Sequence, residues 1–549
     1  MNDRVGALRT ALALDGFTFA TRAPSGIEFR GSVSVRDRTV KLRIVYADLT
    51  FARIPQIFIE NPEVLDRRVF PHLDEANELC VVDRDRYVAD RYNVAGVARG
   101  LVVRAREVIE RGFAASATDE IAAEFPQHWG GLIAGCAFDP GYVGSAEYRL
   151  SSEGHATMAP PPQQAGRASR EKKQTPHLPA FIIPYPGQLS FTATQVRPRT
   201  FGGLITWADA WDHALAESIV ENVVQIGARD AVCVVAAANG IVGGIVGLSS
   251  KPPAVIEAMS RPQAWAGFVR RGLIDDAPLV RIRGRYMSLD YALNRNYGDA
   301  GAPLNARKVL LIGCGAIGGY LARDLSQMGA GRRGGLFVLL DKDSLDSTNL
   351  GRHWLGVDCV GKNKAEACKR KIDAELPGSE IAAWPVAIED RLSRLAEFDL
   401  VIDATGEHDV SDLLNELRLA GARDGKRWPT LLHSWIEGRG AAVQSYISSD
   451  PDFACYRCLD PDLHSARVTS LRPEAPRELD AGCGESTFTP YGPAAPMMAA
   501  ALASVHVSDW AAGRARPLLR TRVLDGEVTK FVKDKNPDRS GQCPACNAQ

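Results

Sequence analysis

The sequence has no surplus of either charge: 65 Lys and Arg stand against 66 Asp and Glu, a formal charge of −1 over 549 residues. A protein that neutralises a phosphate backbone carries a basic excess, so direct nucleic-acid binding is not expected. With 45% hydrophobic and 24% charged residues, the composition excludes a mainly disordered or collagen-like chain. Long uncharged runs are also scarce. One, Ala231–Ser250, lacks charge for twenty residues, but Asn239-Gly240 and then Gly243, Gly244 and Gly247 interrupt it. Val and Ile alternate around the Asn-Gly pair, which predicts two short strands and a tight turn rather than a helix in lipid. Near the N-terminus, Asp3, Arg4 and Arg9 break up the short apolar run, so no secretory signal is expected and the protein reads as cytoplasmic.

At about 150 residues per domain, the length predicts roughly three to four domains and excludes a single small module. No internal repeat is visible. The main compositional break is 151–178, rich in Pro, Ser, Gln and Gly with a basic cluster at Arg170–Lys173. Such a segment buries too little apolar surface to offset its ordering entropy, and reads as a flexible linker. A shorter break at Asn296–Leu304 precedes a strongly patterned segment. The expected organisation is an α/β multidomain chain: an N-terminal α+β domain at 1–150, the linker, a middle α/β region of no legible role at 179–298, and a C-terminal Rossmann-like domain at 299–549. Within the first, Gly26–Ile44 alternates like an antiparallel sheet and Val94–Gly112 has the spacing of an amphipathic helix; a further helix is expected at Trp207–Ile226.

Eleven cysteines are many for a reducing compartment, where they serve as metal ligands, nucleophiles or core residues. Arg307–Ile312 reads as a buried strand, followed by Gly313, Gly315 and Gly318 at the head of a helical stretch. Glycines there allow a tight turn and close backbone approach to phosphate at a helix N-terminus. The next strand, Leu336–Leu340, ends at Asp341, whose carboxylate suits ribose hydroxyls. These features alone also fit an ordinary dinucleotide site, hence a nicotinamide-dependent oxidoreductase, or a tight turn with no ligand.

The residues beyond that strand narrow the choice. Asp341 opens a segment running through Asn349-Leu350-Gly351-Arg352 to Lys364. In that order the motifs resemble the ThiF/MoeB/ubiquitin-activating superfamily over about 307–549. The resemblance implies ATP as substrate, ribose binding by Asp341, and phosphate contacts from Asn349, Arg352 and Lys364. Where that family carries an Asp for Mg2+, this chain has Gly406 within Asp403-Ala404-Thr405-Gly406-Glu407: either Glu407 or Asp403 supplies the carboxylate, with Glu407 preferred, or adenylation is impaired. Cys455-x-x-Cys458 and Cys543-x-x-Cys546 match the family's structural Zn2+ site, and Cys483, in a glycine-flanked loop, matches its acyl-carrying cysteine. The family also implies a homodimer with an arginine supplied by the partner subunit, for which Arg295 is a candidate.

In the N-terminal region, Pro71-His72 stands eight residues before Cys80. This resembles the ubiquitin-conjugating fold, with His72 in place of the usual Asn and Cys80 as the acyl acceptor. Both resemblances in one chain match bacterial E1–E2 fusion proteins of type II CBASS antiphage operons. They imply an activating and conjugating enzyme whose acyl donor is the C-terminal tail of a cGAS-like nucleotidyltransferase or ubiquitin-like protein, and whose acceptors are target protein amines. A sulfur-carrier adenylyltransferase with a non-catalytic N-terminal binding module is the alternative.

Overall fold

A computed structural model describes residues 2–23, 26–83, 86–161, 177–227, 229–251, 256–257, 261–461, 467–475 and 490–547. The chain divides into two compact units, residues 1–288 and 289–549. Among the described residues, no helix is long and apolar enough to cross a membrane.

The first unit begins with α1 (Asn2–Ala13) and four sequential antiparallel strands, β1 (Thr18–Ala23), β2 (Gly26–Val35), β3 (Arg38–Tyr46) and β4 (Gln56–Ile59). The alternation in the sequence sends Val33, Val35, Val40, Leu42 and Ile44 to a buried face, as expected of a sheet with one wet side. α2 (Val94–Gly112) begins at Asn93, whose side chain accepts the Gly96 amide at 2.8 Å. Its Leu101, Val108 and Ile109 share one core with Phe29, Leu42 and Ile44.

After α3 (Ala117–Ala123) and α4 (Phe125–Trp129), the chain builds a closed barrel. Its strands are β5 (Leu132–Cys136), β6 (Gly144–Leu150), β7 (Ala156–Ala159), β8 (His177–Tyr185), β9 (Ala231–Ala237), β10 (Gly240–Val246) and β11 (Leu279–Tyr286), in the order β10-β11-β5-β7-β6-β8-β9. β9 and β10 are the anticipated hairpin, paired Ala237 to Gly240. They carry no charge because both faces are covered. Val232, Val234 and Ile241 join one apolar cluster, while Cys233, Val235 and Val242 join another containing Trp207, Ile219 and Trp265 from the surrounding helices.

The strand pairing differs from the anticipated divisions. The boundary at 150 falls between β6 and β7 of one barrel, so residues 132–150 share a sheet with the middle region and not with β1–β4. The expected linker contains β7 and the start of β8, because short alternating stretches flank its polar centre; residues 162–176, including Arg170–Lys173, lie outside the described residues. The helix expected over Trp207–Ile226 is two helices, Phe201–Asp209 and His213–Ile226. The side chain of Asp212 accepts the Ala214 amide at 2.8 Å and starts the second.

The second unit is a seven-stranded sheet in the order β14-β13-β12-β15-β16-β17-β18. β12 (Lys308–Ile312), β13 (Leu336–Leu340), β14 (Ile381–Trp384), β15 (Leu400–Asp403) and β16 (Thr430–Glu437) run parallel, while β17 (Ala442–Ser448) and β18 (Leu519–Val523) are antiparallel. Covered on both faces, β12, β13 and β15 read as continuous apolar runs. Gly313 has φ +84°, and a Cβ on Gly318 would stand 1.8 Å from the Gly313 carbonyl oxygen. Those two glycines let the helix Ala316–Gln327 close onto the loop.

Candidate active sites

In the second unit, the carboxyl ends of the parallel strands open into a cavity of about 1150 Å3. This volume exceeds what one small ligand requires. Gly313, Gly315, Asp341, Arg352, Lys364 and Glu407 all line it. Gly315 has no side chain to cap the helix that starts beside it, so the amides of the first turn remain available to an anion. Asp341 is buried; its carboxylate accepts the amides of Cys314 at 2.7 Å and Asp343 at 2.8 Å. Burial raises its pKa above the usual carboxylate value, with those two hydrogen bonds and Lys364 pulling the other way. Lys364 starts a helix capped by Asn363, and its Nζ lies 3.2 Å from Asp343. The Arg352 guanidinium sits 4.7 Å from the Tyr491 ring centroid, another residue of the cavity wall.

Two anticipated contacts lie elsewhere. Gly318 packs under the loop, and Asn349 Oδ1 accepts the Asp346 amide at 3.2 Å to close its own turn. Arg295 stands over Tyr291, 6.0 Å from its ring centroid. Cys483 lies outside the described residues.

The structure separates the two acidic candidates. Asp403 is buried and saturated: Thr405 donates its amide at 3.0 Å and its hydroxyl at 2.7 Å, Ser411 donates its hydroxyl, and His433 Nδ1 lies at 3.0 Å. Burial alone would raise its pKa, but His433 and the two hydroxyls outweigh that and hold it below the ordinary carboxylate value. Glu407 instead is exposed at the cavity wall. His433 itself was not anticipated. The only sequence signal was one histidine inside the apolar strand Thr430–Glu437, which more often marks a satisfied core residue.

Cys455, Cys458, Cys543 and Cys546 converge, their sulfurs within 4.8 Å of one another and several pairs separated by 3.4–3.7 Å. Four thiolates around zinc at about 2.3 Å require sulfur–sulfur distances of about 3.8 Å, so the cluster fits that ion. Amides of Asn415 and Ser540 approach the Cys455 and Cys458 sulfurs at 3.5 and 3.4 Å, the kind of contact that favours thiolate.

In the first unit, Cys80 is exposed, and its amide donates to the His72 carbonyl at 2.8 Å. That bond closes the loop 72–80, with His72 at φ +57° and Asn77 at φ +62°. The His72 ring faces two carboxylates, with Nε2 3.4 Å from Glu120 and Nδ1 3.5 Å from Glu124. Its described contact with Cys80 is therefore through the backbone rather than the imidazole.

Arg197, in the segment after β8, and Arg281 of β11 grip the same loop. Arg197 donates to the Leu73 carbonyl at 3.4 Å and the His128 carbonyl at 2.6 Å. Arg281 donates to the carbonyls of Trp129 at 2.9 Å and Pro198 at 3.1 Å, and pairs with Glu75. Val69 belongs to the apolar cluster around Trp129 and Phe191. The grip on Leu73 and Glu75 was invisible in the sequence because it joins residues more than 120 positions apart.

Comparison with known proteins accords with both halves. Residues 290–545 match the ThiF family and residues 7–135 match prokaryotic E2 family B. The chain is 28% identical over 532 residues to the ATP-dependent ubiquitin transferase-like protein Cap2 of Pseudomonas aeruginosa, covering 92% of this chain and 91% of that protein. It is 32% identical over 266 residues to the protein of the same name from Vibrio cholerae, covering 47% and 44%. Among solved structures, Escherichia coli MccB with ATP aligns at a TM-score of 0.36 and 18% identity, covering 55% of this chain and 83% of MccB. The chain is thus an enzyme that unites an E1-type activating domain, similar to the ThiF family over residues 290–545, with an E2-type conjugating domain, similar to prokaryotic E2 family B over residues 7–135.

Proposed function

We propose that this enzyme uses ATP to activate a protein C-terminus and hands the acyl group through two cysteines to an amine. The C-terminal carboxylate attacks the α-phosphate, giving an acyl adenylate and releasing pyrophosphate. The Cys483 thiolate then attacks the carbonyl and expels AMP. Cys80 takes the acyl group by transthiolation, and a target amine displaces Cys80 to leave an amide. Asp341 holds the ribose, while the loop at Gly313–Gly315 and the helix start behind it receive the phosphates. Arg352 and Lys364 stabilise the charge that gathers on the α-phosphate, and Asn349 adds a phosphate contact through its Nδ2–H donors. Glu407 would hold magnesium, whose charge would offset that of the phosphate oxygens; Asp403 has no acceptor capacity to spare. The four clustered cysteines would hold zinc and tie the C-terminal residues to the domain.

The name of the Pseudomonas relative, which aligns over 92% of this chain, supports ATP dependence and transfer. The acyl donor is the tail of a cGAS-like nucleotidyltransferase, in a CBASS-type antiphage setting, and the enzyme acts as a cytoplasmic homodimer. One observation carries the reading: the same chain presents an exposed cysteine in an E2-type fold and, in its ThiF-type sheet, a cavity lined by Asp341, Arg352 and Lys364.

Intact mass spectrometry after incubation with ATP and donor tests it. Cys80→Ala should keep the donor on Cys483 and form no amide product, whereas Cys483→Ala should carry no thioester at either position. Amide formation by Cys80→Ala at the wild-type rate refutes the relay. Sulfur transfer insensitive to that substitution would favour the sulfur-carrier alternative.

A further inference from the structure

His433 is 1% exposed, lies on the cavity wall, and its Nε2 has no hydrogen-bond partner among the described residues. A buried polar atom left unpaired beside a cavity is costly unless a ligand or water completes it. The rest of the ring is fixed. Nδ1 meets the Asp403 carboxylate at 3.0 Å, and the Tyr456 ring lies with its centroid 4.4 Å from that of the imidazole. In the tautomer that donates its Nδ1–H to Asp403, the neutral ring presents a lone pair at Nε2.

The sheet register indicates which substrate that is. Leu340 pairs with Ile312, Ile312 with Asp403, and Asp403 with His433, so the last residues of β13, β12 and β15 stand level with His433 in the middle of β16. At about 4.8 Å between strands, His433 lies about 10 Å from the glycine-loop strand and about 14 Å from the strand that ends at Asp341. Asp341 and the glycine loop take the nucleoside and phosphates on one side, and His433 stands on the other. Trp435 and Gln444, directly opposite one another on β16 and β17, extend the cavity wall beyond it, and Gln444 Oε1 is likewise buried without a partner among the described residues.

We propose that His433 Nε2 accepts a backbone N–H from the last residues of the acyl donor and so positions its terminal carboxylate toward the α-phosphate. His433 is a substrate-positioning residue whose orientation depends on Asp403. This role rests on the adenylation reading.

The test is ATP–pyrophosphate exchange by the full chain, with a panel of purified cGAS-like nucleotidyltransferases bearing native C-termini as donors. His433→Asn keeps an N–H donor for Asp403 and removes the acceptor facing the cavity; His433→Gln places an amide oxygen near the Nε2 position. The donor KM should rise about 10-fold in His433→Asn, while the ATP KM stays within about 2-fold and the melting temperature within about 2 °C. His433→Gln should return the donor KM to within about 3-fold of wild type. An unchanged donor KM in His433→Asn, or a rise shared equally by ATP, overturns the proposal while leaving adenylation standing. If the wild type exchanges no pyrophosphate with any donor, adenylation itself fails and the role of His433 fails with it.

Discussion

Replacing Arg281 with Met asks whether the barrel is structurally necessary to the loop that carries Cys80. The Arg281 side chain is 10% exposed, and its guanidinium donates to two main-chain carbonyls, Trp129 at 2.9 Å and Pro198 at 3.1 Å, besides pairing with Glu75. Methionine fills much of the same volume and donates nothing. Each carbonyl then loses a charged donor, a change of about 1.5–3 kcal/mol per bond. Glu75 is 45% exposed and rehydrates, so its pair adds little. Taken at the lower end of that range for both bonds, the loss totals about 3 kcal/mol. For a unit of this size, that corresponds to about 6–12 °C in the melting transition of the first unit, measured by differential scanning calorimetry on the full chain. Arg281→Lys should recover less than half, since an ammonium cannot span three acceptors held in a fork. The readout tied to function is acyl arrival at Cys80, which should slow as Glu75 and the loop around it loosen. A melting temperature within 2 °C of wild type, with unchanged loading of Cys80, would show that the guanidinium restrains nothing.

The cysteine cluster and two buried histidines give further expected outcomes. Elemental analysis should find about one zinc per chain, removal by a strong chelator should lower the melting temperature of the second unit, and Cys458→Ser should do the same; a metal-free chain with unaltered melting would exclude the site. Burial lowers the pKa of His128 and His506 to about 4 from 6.5, so between those values the unfolded chain binds more protons and stability is lost as pH falls. Each histidine should cost its unit about 2 kcal/mol between pH 7 and pH 5, and denaturant melts showing no loss across that range would contradict the burial argument.

Much of this was readable wherever one residue type serves one physical demand. Glycines where backbone crosses backbone, an aspartate at a strand end and cysteines in two close pairs each announce a local requirement; Gly313, Asp341 and the cysteine cluster lie accordingly, while Gly318 packs under the loop and not on the cavity. The eight-residue spacing from His72 to Cys80 was also visible, because one backbone hydrogen bond closes it. The direction of the His72 ring was not, since Glu120 and Glu124 come from a later helical segment and no local rule aims an imidazole. Likewise, β5–β7 resemble any short alternating strands until they find their partners, which for β5 include β11, more than 100 residues away. A sheet's register depends on pairing that hydrophobic alternation cannot specify across such a distance.

The cysteines bring both units under one argument. A thiol enters a relay only as an accessible thiolate. Cys136 and Cys233 are buried in the barrel, and burial pushes each pKa up to about 12. Cys314 is raised by its hydrogen bond to Cys368 and by burial, Cys359 by burial and by Asp358, and Cys368 is itself enclosed. The four clustered cysteines are committed to one another. Of the ten described cysteines, Cys80 alone is exposed. The proposed relay needs a second carrier in the unit where adenylation occurs, and every described thiol there is buried or engaged in the metal-type cluster. Of the eleven cysteines in the sequence, Cys483, which lies outside the described residues, is the one the proposed relay would use there.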